Sequence, residues 1–188
     1  MNKSEASVSA FDVVSELEAR APSLPAVKLH KLLYYCQAWH LAWTGQPLFR
    51  ERIEAWVNGP VVAQVWRGRD DRDRSGPSPA GLPESGVAVV DYVMSRYGTR
   101  TGAQLIGDTH QEAPWLEARS GLGPNARSNR VISTEAMRAF FLADPAADQA
   151  WFWQAGWRDG ELEAEHQVLE GRTRTFADEA ALLDYLEP

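Results

Sequence analysis

The residues that could carry chemistry are few, because the 188-residue sequence has four His and one Cys. Cys36 and His40 are four positions apart, so both side chains can share one face of a helix. This spacing supplies half of a zinc site, or the nucleophile and base of a thiol enzyme. No CxxC or HxxxH pair supplies further ligands. We therefore expect a small buried thiol beside a hydrogen-bonded histidine, with no metal and no cofactor.

Common catalytic and nucleotide-binding motifs are absent from the sequence, including GxSxG, HExxH, the P-loop and GxGxxG. Lys28 and Lys31 could form a small polar face with Tyr34 and Tyr35, although lysines near a helix end commonly extend toward solvent in this way. His110 precedes a Pro-Trp pair and is consistent with a helix end. We expect a protein that is not an enzyme.

The element that must position these groups is the stretch 25–44, which reads PAVKLHKLLYYCQAWHLAWT. Apolar residues recur at helical spacing and cover nearly all sides, as in a buried helix. Ser23 could cap its start, Pro25 suits its first turn, and Gly45 can adopt a left-handed stop. We predict a mainly α fold: a compact helical domain around a central buried helix at about 25–44, with a C-terminal helical arm.

Shorter elements are predicted around the central helix. A capping box at Ser9 and Asp12 opens a helix, and a weak alternation predicts a small β element near 48–57. Asn58-Gly59-Pro60 indicates a turn, after which Pro60 would begin a short helix. Further helices are predicted over 87–97, near 101–109, from 114 onward and over 134–142, with Met137, Phe140 and Phe141 facing inward.

Charge and composition restrict the class of protein. The net charge of −7 resides in residues 159–188, where nine acids and two bases occur, because the rest of the chain sums to zero. Residues 67–86 read as a surface loop in which Arg and Asp interleave, which disfavours nucleic acid as a partner. A single Cys and the absence of a signal peptide favour the cytoplasm, and no segment is apolar enough for a membrane.

Four ordered blocks carry a resemblance to a known family: KLHKLLYYCQAWHLAWTGQPLF, EAWVNGPVVAQVW, GDTHQEAPWLEAR and NARSNRVISTEAM. They resemble the Panacea domain of the SocA-like antitoxins, and the resemblance covers about residues 10–144. It implies a mostly helical domain with a small β element. It also implies a cytoplasmic antitoxin, without known enzymatic chemistry, that neutralises a toxin encoded beside it.

The tail carries a second resemblance. Residues 156–186 look like the acidic C-terminal extensions of AbrB/MazE-type antitoxins, in which the tail wraps the toxin. We therefore divide the chain into a Panacea-like domain, 1–148, and an acidic amphipathic arm, 149–188. The candidate toxin contacts in the arm share aromatic or acidic character; they are Trp153, Trp157, Glu161, Glu165 and Phe176.

The prediction that follows is an antitoxin acting by direct protein binding. On the domain, the candidate contacts are Trp56, Asn58, Gly59 and Pro60, because an aromatic residue beside a turn suits an anchor. A purely structural role for this turn is an open alternative, as is packing of the arm on its own domain or on a second copy. An alternative function is a proteolytic adaptor that delivers the bound toxin to a protease.

Overall fold

The helices and strands of the protein follow the apolar periodicity of the sequence closely. The structure, a computed structural model, describes residues 8–68 and 81–147. Within these residues the elements are α1 (Ala10–Arg20), α2 (Ala26–Thr44), β1 (Ile53–Trp56), β2 (Gly59–Val62), α3 (Ala63–Arg67), α4 (Glu84–Tyr97), α5 (Gly102–Thr109), α6 (Ala113–Ala118) and α7 (Thr134–Leu142). The mainly helical fold with a small β element is confirmed. The predicted arm, 149–188, lies outside the described residues.

Helix α2 is the centre of the fold, as its all-round apolar pattern predicted. It is buried from Leu29 to Ala42 and contacts α1, α4, α5, α7 and β2. Gly45 ends it in the left-handed conformation, with φ of 73°. The predicted cap at Ser23 is wrong, because the residue before the helix is Pro25, which has no side-chain oxygen to accept a hydrogen bond. None of the described helices is long and apolar enough to cross a membrane.

Local capping signals fix the starts of three other helices. Ser9 and Asp12 form the predicted capping box of α1, and Thr101 and Gln104 form that of α5. The Ser133 hydroxyl accepts a hydrogen bond from the backbone N–H of Ala136, the third residue of α7, at 3.1 Å. Each of these side chains bonds to a first-turn amide that has no partner within its own helix. Because both partners lie within one turn of the chain, the sequence alone predicts these helix starts.

The strands β1 and β2 form an antiparallel hairpin in which Ala55 faces Pro60. The prediction that Pro60 begins a helix is wrong, since it lies within β2 and α3 starts only at Ala63. The Ala55 N–H donates away from β2, to the carbonyl of Arg130 at 2.8 Å. The residue opposite Ala55 therefore does not donate a backbone hydrogen bond to β1, and proline fits there without loss of a ladder hydrogen bond.

The core packs around the aromatic residues of α2. Trp39 is fully buried, and Met137 and Phe141 of α7 point inward as predicted. Phe140 does not, because its exposed fraction is 39%. Helix α7 turns only one stripe toward α2, and Phe140 lies off the stripe defined by Met137 and Phe141. Trp66 is also exposed, at 44%, and so stands out from the buried aromatic residues.

Candidate functional site

A groove of about 640 Å³ lies beside the hairpin, and we call it the hairpin groove. Helix α2, the hairpin, helix α3 and the segment 127–129 contribute to it. Its lining residues are Val27, His30, Lys31, Glu54, Trp56, Val57, Asn58, Val61, Trp66, Arg67, Arg127, Ser128 and Asn129. Two of the four predicted contacts on the domain, Trp56 and Asn58, therefore line the same groove.

Two tryptophans give the hairpin groove its aromatic character. The rings of Trp56 and Trp66 meet edge to face, with centroids 5.7 Å apart, and Trp66 also contacts the His30 ring at 5.6 Å. Trp56 is held in place because its Nε1 donates to Glu54 Oε2 at 2.8 Å. Its carbonyl accepts from Trp115 Nε1 at 3.0 Å. Trp66 thus presents an exposed face on a rigid support.

Side chains of α2 satisfy the outer edge of β2, which no strand within 8–68 or 81–147 covers. Lys31 Nζ donates to the Pro60 carbonyl at 3.0 Å, and the Val62 N–H donates to His30 Nδ1 at 3.3 Å. Because Nδ1 accepts, the neutral His30 ring carries its proton on Nε2. These two bonds fix the hairpin against the central helix and replace the hydrogen bonds of a third strand.

Lys31 is an unusual member of this arrangement, because it is 1% exposed. Burial lowers the pKa of its amine to about 7. The bond to Pro60 uses one of the three donors of an ammonium group. None of the ion pairs among the described residues includes Lys31. A buried amine that pairs with no carboxylate among the described residues therefore lies in the lining of the hairpin groove.

Gly59 makes this close approach of hairpin and helix feasible. Its φ is +94°, and a Cβ there would stand 2.5 Å from Lys31 Cε and 2.8 Å from Thr109 Oγ1. Only glycine adopts this conformation easily and leaves the required space. Gly59 and Pro60 are both buried. Their position indicates support of the groove, whereas Trp56 and the exposed Asn58 are placed where a partner could touch them.

Arg119 supports the groove from behind, and sequence reasoning did not identify it. The guanidinium is buried; its Nη1 donates to the Ala55 carbonyl at 3.0 Å and its Nη2 to the Ala126 carbonyl at 2.8 Å. It also lies 5.1 Å from the Trp115 ring centroid. Arg119 thus joins β1 to the turn that precedes residues 127–129. No sequence signal distinguishes it from the other arginines, because its partners are backbone carbonyls.

His110 lies behind the same hairpin. It stacks on Trp115, with centroids 4.1 Å apart and planes 14° apart. Burial, and then the charges of Lys31 and Arg119, lower the pKa of the His110 ring. A neutral ring at neutral pH suits stacking between these cations.

Cys36 and His40 do not converge on a reactive site. Cys36 is fully buried, and burial raises the pKa of its thiol. His40 Nδ1 lies 2.8 Å from the Gln46 carbonyl and its Nε2 lies 3.1 Å from Ser85 Oγ. Burial lowers the pKa of His40. Over 8–68 and 81–147, no group of three His, Cys, Asp or Glu side chains could hold a metal ion.

Five candidate contacts lie outside the described residues, namely Trp153, Trp157, Glu161, Glu165 and Phe176. They stay predictions from the sequence, as does the boundary between the domain and the arm at residue 148.

Comparison with known families identifies the segment that builds most of the hairpin groove. Residues 29–116 match the family model of the antitoxin SocA-like Panacea domain. Over these residues the chain is similar to the Panacea domain of this antitoxin type, which confirms the resemblance seen in the sequence blocks. The likeness of the tail to AbrB/MazE-type antitoxins stays a prediction. No curated protein and no solved structure matches the chain significantly.

Proposed function

We propose that this protein is a cytoplasmic antitoxin that neutralises a toxin encoded beside it by direct binding, with the hairpin groove as the contact surface. The observation that carries the proposal is the exposed Trp66, set against Trp56 in a groove that is built mostly by the segment that matches the antitoxin family model. Tryptophan is the residue type most enriched at the energetic centres of protein interfaces.

The groove is well prepared for binding. Trp56, His30 and Lys31 are each fixed by hydrogen bonds, so few side-chain rotamers are lost when a partner docks. Lys31 donates to a backbone carbonyl, His30 accepts from a backbone N–H and Glu54 accepts from the Trp56 indole, so these three groups do not form an acid–base pair with one another. Binding, and not catalysis, is the activity we propose.

The test is the affinity of the purified toxin, co-expressed from the native operon, for a Trp66→Ala variant. We expect Kd to rise by about tenfold to a hundredfold, since an interface tryptophan contributes roughly 2 kcal/mol or more. The variant's melting temperature should change little, because Trp66 is already exposed. Phe140→Ala removes a comparably exposed aromatic side chain from α7 and is the matched control. Equal Kd values for Trp66→Ala and wild type would contradict the proposed surface.

The adaptor alternative predicts a different result with the same purified proteins. A direct inhibitor abolishes toxin activity at stoichiometric concentration with purified components alone. An adaptor requires added protease, and toxin is then lost over time. Inhibition that appears only with protease would replace direct neutralisation with delivery.

We also propose a second toxin contact in the arm. It is supported by the acidic charge of residues 159–188 and by the aromatic residues at 153 and 157. Trp157→Ala in the full chain should weaken toxin binding by about tenfold while leaving its mass in solution and melting temperature unchanged. A change of mass in solution would assign this residue to contact between copies.

A further inference from the structure

The charge around the hairpin groove is locally positive. Its lining includes three basic side chains, Lys31, Arg67 and Arg127, and one carboxylate, Glu54. Glu54 already accepts a hydrogen bond from the Trp56 indole. Outside the acidic tail the sequence has equal numbers of acids and bases, so the positive groove is a feature of this surface and not of the whole domain.

The two arginines of the groove present exposed guanidinium groups. Arg67 and Arg127 are exposed, and neither forms an ion pair with another described residue. Guanidinium groups bind carboxylates through two parallel hydrogen bonds, which gives both strength and a fixed direction. Exposed arginines beside an aromatic surface therefore favour a partner that brings acidic and apolar groups together.

Lys31 adds to the same preference from the base of the groove. It has one acceptor for its three possible donors, and its burial disfavours the charged form. An entering carboxylate would lessen that penalty, because an opposite charge stabilises the ammonium. The other titratable groups around it are His30 on α2, Glu54 on β1, His110 after α5 and the two arginines. None of these supplies an unengaged carboxylate.

The apolar part of the groove restricts which side chains of a partner can lie beside its acidic groups. Val27, Val61, Trp56 and Trp66 present aliphatic and aromatic surface between the basic groups. A nucleic-acid backbone would bring regularly spaced phosphates and would use a longer basic stripe. A protein segment with one apolar side chain between acidic ones fits both parts of the surface.

We propose that the hairpin groove recognises an acidic segment of the toxin, whose Asp or Glu side chains pair with Arg67 and Arg127 while a neighbouring apolar side chain packs on Trp66. This inference rests on the proposed function. It adds the chemistry of the partner: the toxin surface in the groove carries carboxylates.

The test compares Arg67→Glu combined with Arg127→Glu against the control Arg52→Glu together with Arg138→Glu, which makes the same charge change at two exposed arginines elsewhere. Toxin from the native operon is the probe, with Kd measured at about 50 mM and about 300 mM salt. The groove variant should weaken binding by about a hundredfold and should reduce the salt dependence. The control should stay within about threefold of wild type, and Arg→Lys at both groove positions should recover only part of the affinity, because an ammonium keeps the charge but loses the two parallel hydrogen bonds.

A charge exchange then identifies the contact. Acidic residues on the toxin surface are replaced singly with Lys, and one or two of these variants should bind the groove variant more tightly than wild-type toxin does. Near-ultraviolet circular dichroism verifies that each variant of this chain is folded.

The possible results separate this inference from the proposed function. If Trp66→Ala weakens toxin binding and the double arginine variant does not, the acidic segment is wrong and the antitoxin surface stands. If wild-type protein does not bind the toxin, both fail. If the arginines instead govern binding of a single-stranded oligonucleotide and leave toxin affinity unchanged, the partner class is wrong.

Discussion

Helix α2 packs against two surroundings that are organised differently, the aromatic residues of α4 and α7 and the hairpin. Toward α4 and α7, aromatic rings fill the interior: Tyr35 stacks on Tyr97 at 3.9 Å, and Trp39 Nε1 donates to Tyr97 Oη at 3.1 Å. Toward the hairpin, His30 and Lys31 bond to the backbone of β2. The contacts with α4 and α7 stabilise the fold through buried apolar area and ring packing. The contacts with the hairpin position the groove through a few hydrogen bonds.

A pair of opposite ionisable groups sharpens this comparison. On the aromatic side, Glu112 accepts from Tyr35 Oη at 2.9 Å, and burial raises the pKa of Glu112 to about 7. On the hairpin side, burial lowers the pKa of Lys31 to about 7. Each group lacks an oppositely charged partner among the described ion pairs, so desolvation moves both toward neutrality.

The largest effect is expected from a charge placed in the buried core around α2. Leu33 is fully buried, and Leu33→Asp should lower the free energy of unfolding by about 4 kcal/mol or more, close to the whole stability of a domain. Val27→Asp introduces the same group on the same helix at a position 37% exposed, and should change stability by about 0.5 kcal/mol. Urea unfolding of both variants checks this contrast, and equal stabilities would show that α2 is peripheral.

A smaller loss is expected from Gly59→Ala on the hairpin side. The new Cβ would be strained by its φ of +94° and would overlap Lys31 and Thr109, so we expect a loss of about 2–4 kcal/mol. Gly121→Ala has a similar φ of +77° with nothing within 4 Å, and should lose only about 1 kcal/mol. Thermal unfolding measures the difference. If the two variants melt together, the contact of Gly59 with α2 does not constrain the hairpin.

The smallest effects are opposite pH dependences of stability. The pKa of Glu112 is raised in the folded protein, so its stabilising contribution is present below pH ~4.5 and is lost as pH rises through about 7. The pKa of Lys31 is lowered, so its contribution is present above pH ~10.5 and is lost as pH falls through about 7. Within its window each group changes stability by at most about 1.4 kcal/mol per pH unit.

Two variants separate these groups. As pH rises, Glu112→Gln should gain stability relative to wild type between pH 4.5 and about 7, and Lys31→Met should lose stability relative to wild type between about pH 7 and 10.5. Unfolding free energies at several pH values measure both slopes. Parallel profiles for a variant and wild type would mean that the pKa of the replaced group is the same in the folded and unfolded states.

The local parts of this protein were readable in its sequence. Helix α2, its Gly45 stop, and the capping boxes at Ser9 and Thr101 depend on residues within one or two turns of each other. Aromatic and aliphatic residues at helical spacing also predicted that α2 would be central. The same reasoning located Trp56 and Asn58 beside a turn, because Asn-Gly dipeptides favour turns in any context.

Tertiary structure alone decided the role of each residue at that turn. Pro60 lies in a strand because Ala55 donates to Arg130, 75 positions along the chain, and Gly59 is buried because Lys31 and Thr109 close around it. Arg119 supports the groove through backbone carbonyls, which leave no trace in side-chain patterns. Local sequence sets helices and turns through neighbouring backbone groups, whereas a groove depends on contacts between distant segments, which no local pattern specifies.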